Sequence, residues 1–120
     1  MLNGSPATRV FLATGPVDMR KSFDGLAALV RSHLGGELLS GHLFVFSNRS
    51  RDRVKVLYWD GSGLWVCAKR LEKGRFRWPA QVGATSVAMS CSELTMLLEG
   101  IDLSQTRKRA WHRVGAPLNR

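Results

Sequence analysis

The chain has 120 residues, 44% of them hydrophobic and four of them proline, which excludes a disordered polypeptide and fits one domain able to bury a core. Its 18 Lys and Arg against nine Asp and Glu give a formal charge of +9, and so basic a surface makes a polyanion, above all nucleic acid, the expected partner. Binding to an anionic membrane would favour a helix with one basic and one apolar face, whereas these cations fall in strand-like segments and a tail.

No segment approaches 18 consecutive apolar residues, and the opening MLNGSPATRVFLATG lacks the charged lead and apolar stretch of a signal peptide, so a cytoplasmic protein without a membrane segment is expected. Cys67 and Cys91 belong to no CxxC or Cys/His ligand spacing and read as reduced, interior thiols.

In chain order, RVFLA at residues 9–13 reads as a strand before the turn signal Gly15-Pro16. Asp18 is placed to cap a following helix, whose buried stripe would be Phe23, Leu26, Ala27, Val30 and Leu34, ending at Gly35-Gly36. Gly25 inside that helix costs about 1 kcal/mol of propensity, which suggests close packing against a neighbour.

From residue 40 to 79 short β-branched and aromatic runs alternate with Asn, Asp, Gly and Ser clusters, the pattern of an antiparallel meander. The expected strands are 42–47, 53–59, 64–71 and 75–78, with turns at NRSRD, DGSG and EKG. Period-two alternation sets Val54, Val56 and Tyr58 against Arg53 and Lys55, and Phe76 and Trp78 against Arg75 and Arg77. A second helix is signalled by Ser90-Cys91-Ser92-Glu93, a capping-box spacing, with Leu94, Leu97 and Leu98 as its buried stripe and Gly100 as its left-handed stop.

The expected architecture is a single α+β domain over residues 1–103. An antiparallel β-meander sheet carries two main helices packed on one face and leaves a basic face in water. Residues 104–120 form a basic tail, expected to be flexible in the isolated protein. Exposed strand edges leave a homodimer open.

Nine Lys or Arg lie between Arg49 and Arg77 against three acids, so this stretch alone carries +6. Trp59, Trp65, Trp78 and Tyr58 lie among these cations, a mixture suited to base stacking, although each Trp on its own is more often core. The candidate nucleic-acid contacts are Arg49, Arg51, Arg53, Lys55, Lys69, Arg70, Lys73, Arg75 and Arg77, supported in the tail by Arg107, Lys108 and Arg109. The bland alternative is a solvated sheet face and a solubilising tail.

Nothing in the sequence points to catalysis, a metal or a cofactor. Asp18 and Asp60 read as cap and turn residues, Asp52 sits between two arginines, and His33, His42 and His112 share no ligand spacing. No GxSxG or GxxxxGK[ST] occurs.

Several segments in order, GPVDMRKSFDGLA, HLFVF, WDGSGL, KRLEKGRFRWP and LLEGID, resemble the TnpB (Orf2-like) accessory proteins of the insertion sequence 66 family over most of residues 9–103. These are distinct from the longer RNA-guided nuclease that shares the TnpB name. The resemblance implies a non-catalytic accessory protein, encoded beside a separate transposase, that assists movement of the element. Joined to the charge, it sets two expectations: a DNA-binding helper of the transposase, or an adaptor that contacts the transposase with no DNA affinity of its own.

Overall fold

Five strands form one sheet, Val10–Ala13 (β1), Leu43–Ser47 (β2), Arg53–Trp59 (β3), Leu64–Arg70 (β4) and Ser86–Met89 (β5), joined by the helices Phe23–Leu29 (α1) and Cys91–Leu98 (α2). This computed structural model describes residues 8–34, 37–79 and 83–100. The strand order is β4-β3-β2-β1-β5. At its centre, β2 is buried at every position, which explains why LFVF shows no alternation: a strand covered on both faces has no water-facing side chain.

The sheet is mixed where a purely antiparallel meander was expected. β2, β3 and β4 do form the meander, but β1 pairs parallel with β2, matching Val10 with Leu43 and Leu12 with Val45. A parallel pair needs a long crossover, and α1 supplies it. On its other side β1 pairs antiparallel with β5, a strand the sequence reading missed. The expected strand at 75–78 is instead an irregular arm, held by the Phe76 amide on the Arg51 carbonyl (2.7 Å) and by Phe76 itself, which is buried in the core.

The two helices lie on opposite faces of the sheet, not on one. Val10, Leu12, Leu43, Val45, Val54 and Val56 meet Leu94 and Leu97 of α2, with Phe76 and Met89 completing that layer. The reverse face carries Ala13, Phe44, Phe46 and Leu57 and is covered by Leu26, Ala27 and Val30 of the α1 segment and by Leu38. The side of β3 that shows Arg53 and Lys55 continues into fully buried Leu57, and β2 adds two phenyl rings there, so that face needs a cover as much as the other.

Helix α1 starts later than the Asp18 signal suggests. Asp18 spends its carboxylate on the Arg20 amide (2.9 Å) and guanidinium, and Ser22 is the residue before the helix, without a side-chain capping bond. Phe23 consequently stays 47% exposed, outside the buried stripe. A Cβ at Gly25 would sit 3.1 Å from the Lys21 side chain, so the neighbour that favours glycine is the chain just before the helix. Beyond Leu29 the helix widens into π-type turns over Val30–Leu34.

Helix α2 follows its signal closely. The Ser90 hydroxyl accepts from the Glu93 amide (3.1 Å), and the Glu93 carboxylate accepts from the Ser90 amide (2.9 Å). Leu94, Met96 and Leu97 are buried, Leu98 is half-buried, and Gly100 takes φ +89°. Cys67 and Cys91 form no disulfide and are half-buried with the α2 layer, and burial pushes the Cys67 thiol up, away from its reactive thiolate form.

Candidate nucleic-acid interface

The turn from β2 to β3 is organised by one side chain. The Asn48 amide oxygen accepts from the Asp52 and Arg53 amides (both 3.1 Å), while its nitrogen donates to Asp52 Oδ1 (2.7 Å). This leaves Arg49 and Arg53 pointing outward, both exposed. Across from them the loop before α1 presents Arg20, held to Asp18 by an ion pair of 2.8 Å. The Arg20 side-chain bonds draw the Asp18 carboxyl down from its ordinary 3.8 to about 2, and the same pairing raises the guanidinium.

Between loop and turn lies a cleft of about 580 Å³, lined by Arg20, Arg49 and Arg53 together with Asp18, Met19, Asn48 and Ser50. A second cleft of about 330 Å³ adjoins it, sharing Met19 and Arg53 and adding Lys55, Lys69 and Arg70. Register explains the meeting: Arg53 opens β3 and Arg70 closes β4, and the two are paired across the hairpin. Like charges set opposite each other on one ladder oppose folding, and a bound anion would relieve them.

Not every cation in this stretch faces outward. Lys55 Nζ donates to the Met19 and Lys21 carbonyls (both 2.8 Å), so it ties the loop before α1 to the sheet. Lys69 Nζ donates to the Leu98 carbonyl (2.8 Å) at the C-terminal end of α2, where a cation also complements the helix dipole. Arg51 turns inward, and burial, then the charge of Arg49, lowers its pKa. Lys73, Arg75 and Arg77 are exposed along the arm that carries Phe76, apart from the two clefts. Arg107, Lys108 and Arg109 lie outside the described residues.

Arg20 is the cation the sequence reading missed, because it stands outside the basic strand segment and beside an acid. Its signal was present in the Asp-Met-Arg spacing, which allows the carboxylate to fix a guanidinium two residues on.

At the far end of the same hairpin, Asp60 accepts from the Ser62 and Gly63 amides (2.9 and 3.0 Å) and from the Trp65 indole (2.6 Å). These bonds bring its carboxyl from 3.8 to about 2. Tyr58 and Trp65 are partners across β3 and β4, stacked with ring centroids 6.3 Å apart and planes 9° from parallel. Trp59 and Trp78 are partly buried.

Among the described residues no group of three or more His, Cys, Asp or Glu is placed to hold a metal ion, and no helix is long and apolar enough to cross a membrane. Four of the acids are engaged in turns and caps: Asp18 with Arg20, Asp52 with Asn48, Asp60 with its hairpin, Glu93 with Ser90.

Residues 8–108 match the family described as IS66 Orf2 like protein. The chain is 44% identical over 102 residues, 85% of its length and 88% of the relative's, to "Uncharacterized protein y4hO" of Sinorhizobium fredii (strain NBRC 101917 / NGR234). It is 38% identical over 109 residues, 91% of its length and 92% of the relative's, to "Uncharacterized protein y4jC" of the same organism. No solved structure matches it. The family resemblance carried by GPVDMRKSFDGLA, WDGSGL and KRLEKGRFRWP is thus borne out across the fold, and the chain belongs to the IS66 Orf2-like family of insertion-sequence-associated proteins.

Proposed function

We propose that the chain is a non-catalytic accessory protein of transposition, acting in the cytoplasm, that holds DNA by its phosphates at the basic end of the β3–β4 hairpin and assists the element's transposase. The observation that carries this reading is the convergence of Arg20, Arg49, Arg53 and Arg70 on two adjoining clefts that share Arg53. Guanidinium groups suit phosphate because their fork of donors matches its oxygens. Both clefts are open at the surface, so a backbone can pass without a conformational opening.

Binding of the purified protein to labelled element-end duplex and to unrelated duplex of equal length, titrated across salt, tests it. If three or four phosphates are neutralised, log affinity falls with log salt at a slope of about −3. Tighter binding to element ends supports a sequence- or structure-directed helper, and equal binding to both reduces the role to general DNA holding. A flat salt response at low affinity overturns the reading.

A second reading, a transposase adaptor without DNA affinity, is favoured by one feature: Phe23 at the start of α1 leaves a large apolar side chain 47% exposed beside the buried Leu26 and Ala27. An adaptor keeps the transposase in a pull-down after nuclease digestion, and a DNA-bridged complex does not.

A further inference from the structure

Trp65 is a large aromatic that the fold holds rigidly and does not bury. It stands on β4, an edge strand of the sheet, and is 44% exposed. Tyr58 stacks against one face of its ring, and Asp60 takes its indole N–H at 2.6 Å. Asp60 is itself fixed by the Ser62 and Gly63 amides, so the indole is clamped through a turn that cannot easily move. The apolar layer under α2 includes Tyr58 and Cys67 of this hairpin but not Trp65. An exposed indole in one fixed orientation loses little side-chain entropy when a flat ligand covers it.

We infer that Trp65 is a stacking platform for an unpaired nucleobase, and that the protein therefore prefers DNA with single-stranded or frayed segments over intact duplex. The inference rests on the DNA-binding reading above and specifies its substrate class. A base inside a duplex already has both faces covered, whereas an unpaired base has a free π-face and would extend the Tyr58–Trp65 stack to three rings.

Five register pairs, an odd number, separate Tyr58–Trp65 from Arg53–Arg70, so the indole and those cations stand on opposite faces of the sheet, about 16 Å apart along the strands, and a nucleic acid that engages both has to cross the β4 edge. The Asp60 carboxylate, the one negative group bonded to the indole, already accepts from three other donors, the Ser62 amide and hydroxyl and the Gly63 amide. A second copy of the chain is a poorer occupant, because each copy carries a formal +9 and self-association brings those charges together.

The test uses the full-length protein with a labelled oligothymidine and a mixed-sequence duplex of equal length, at one salt concentration. Trp65→Ala is expected to weaken oligothymidine binding about tenfold while duplex binding stays within about twofold, and Trp65→Phe, which keeps a ring over Tyr58, recovers most of the loss. Oligothymidine should quench tryptophan emission of the wild type and quench it less in Trp65→Phe, a readout that does not depend on how stable the alanine variant is.

Equal weakening of both ligands by Trp65→Ala, or of neither, overturns the inference while leaving the DNA-binding reading standing. So does a wild-type dimer that sediments as a monomer after Trp65→Ala, which would make the indole a subunit contact. Failure of the wild type to bind either ligand removes the DNA-binding reading and the inference with it.

Discussion

The Arg51 guanidinium lies 5.1 Å from the centre of the Trp78 ring, and the two side chains donate to consecutive carbonyls at the end of β1, Arg51 Nη2 to Thr14 (2.9 Å) and Trp78 Nε1 to Ala13 (2.9 Å). The pair closes the irregular arm over the sheet. It forms because Arg51 adopts φ +59°, a backbone state disfavoured for a residue with a Cβ, which turns its side chain inward from a turn whose neighbours Arg49 and Arg53 stay exposed.

Trp78→Phe should therefore cost about 1–2 kcal/mol of stability, since it leaves the Ala13 carbonyl without its donor. Arg51→Met should cost a similar amount, about 1–2 kcal/mol: it loses the Thr14 bond and the ring contact, and part of that is offset because Arg51 Nη1, buried without a hydrogen-bond partner among the described residues, goes too. Chemical denaturation measures both. A salt slope of DNA binding unchanged in the Arg51→Met protein separates this inward role from that of its outward neighbours.

Arg49→Gln should leave thermal stability nearly unchanged, Arg53→Gln and Arg70→Gln should raise it slightly by removing their cross-strand repulsion, and each should reduce the salt slope of DNA binding by about one. Arg53→Gln is expected to have the largest effect on affinity, because Arg53 lines both clefts. Lys55→Gln and Lys69→Gln should behave in the opposite way, lowering the melting temperature while the slope stays closer to that of the wild type, because their ammonium groups are already bound to the protein's own carbonyls. Differential scanning fluorimetry beside the binding titration resolves the two classes.

That division shows what the sequence could and could not convey about the site. Alternation along β3 separates Val54 and Val56 from Arg53 and Lys55, as the structure has them, and the dense run of charge falls on the hairpin that borders both clefts. What alternation cannot convey is which backbone carbonyls come within reach of a long side chain, and that decides whether Lys55 is a ligand contact or a structural tie. The same limit applies to the fold. Capping chemistry made α2 legible to the residue, and the Asn and Asp-Gly turns placed three strands. β5 escaped notice because Ser86 and Ala88 give a weak strand signal, and the choice of face for each helix depends on long-range pairing of β1 that no local pattern records.

Acid should weaken the protein between about pH 4 and pH 2. Asp18 and Asp60 both sit near 2 in the fold against an ordinary 3.8, so the unfolded chain takes up their protons first as pH falls. Their contribution is fully present above pH 4 and is lost as pH drops through the folded value. Asp60→Asn should flatten the fall in melting temperature over that window, and a profile identical to the wild type would mean that the Asp60 hairpin bonds contribute nothing to folding.

Ser90→Ala should cost about 1 kcal/mol through loss of the α2 cap, with Glu93→Ala milder because its partner, the Ser90 amide, is exposed and can turn to water. Equilibrium unfolding in urea is the direct measurement. Leu97→Ala, which empties a fully buried position in the same helix, should cost several times more, about 2–5 kcal/mol.

The parallel pairing of β1 with β2 has a consequence for how the chain assembles. β1, which precedes the other described strands in the chain, ends up inside the sheet, with β2 on one flank and β5, more than seventy residues later, on the other. The β2–β3–β4 meander can form from local contacts alone, but β5 pairs with β1 and joins the meander only through it. β1 thus acts as a keystone set between an early-folding and a late-folding half. A deletion reaching past Val10 would sever the sheet where an equal deletion in β4 would only trim its border, and completion of the fold waits on contacts of high sequence separation, which slows the final step.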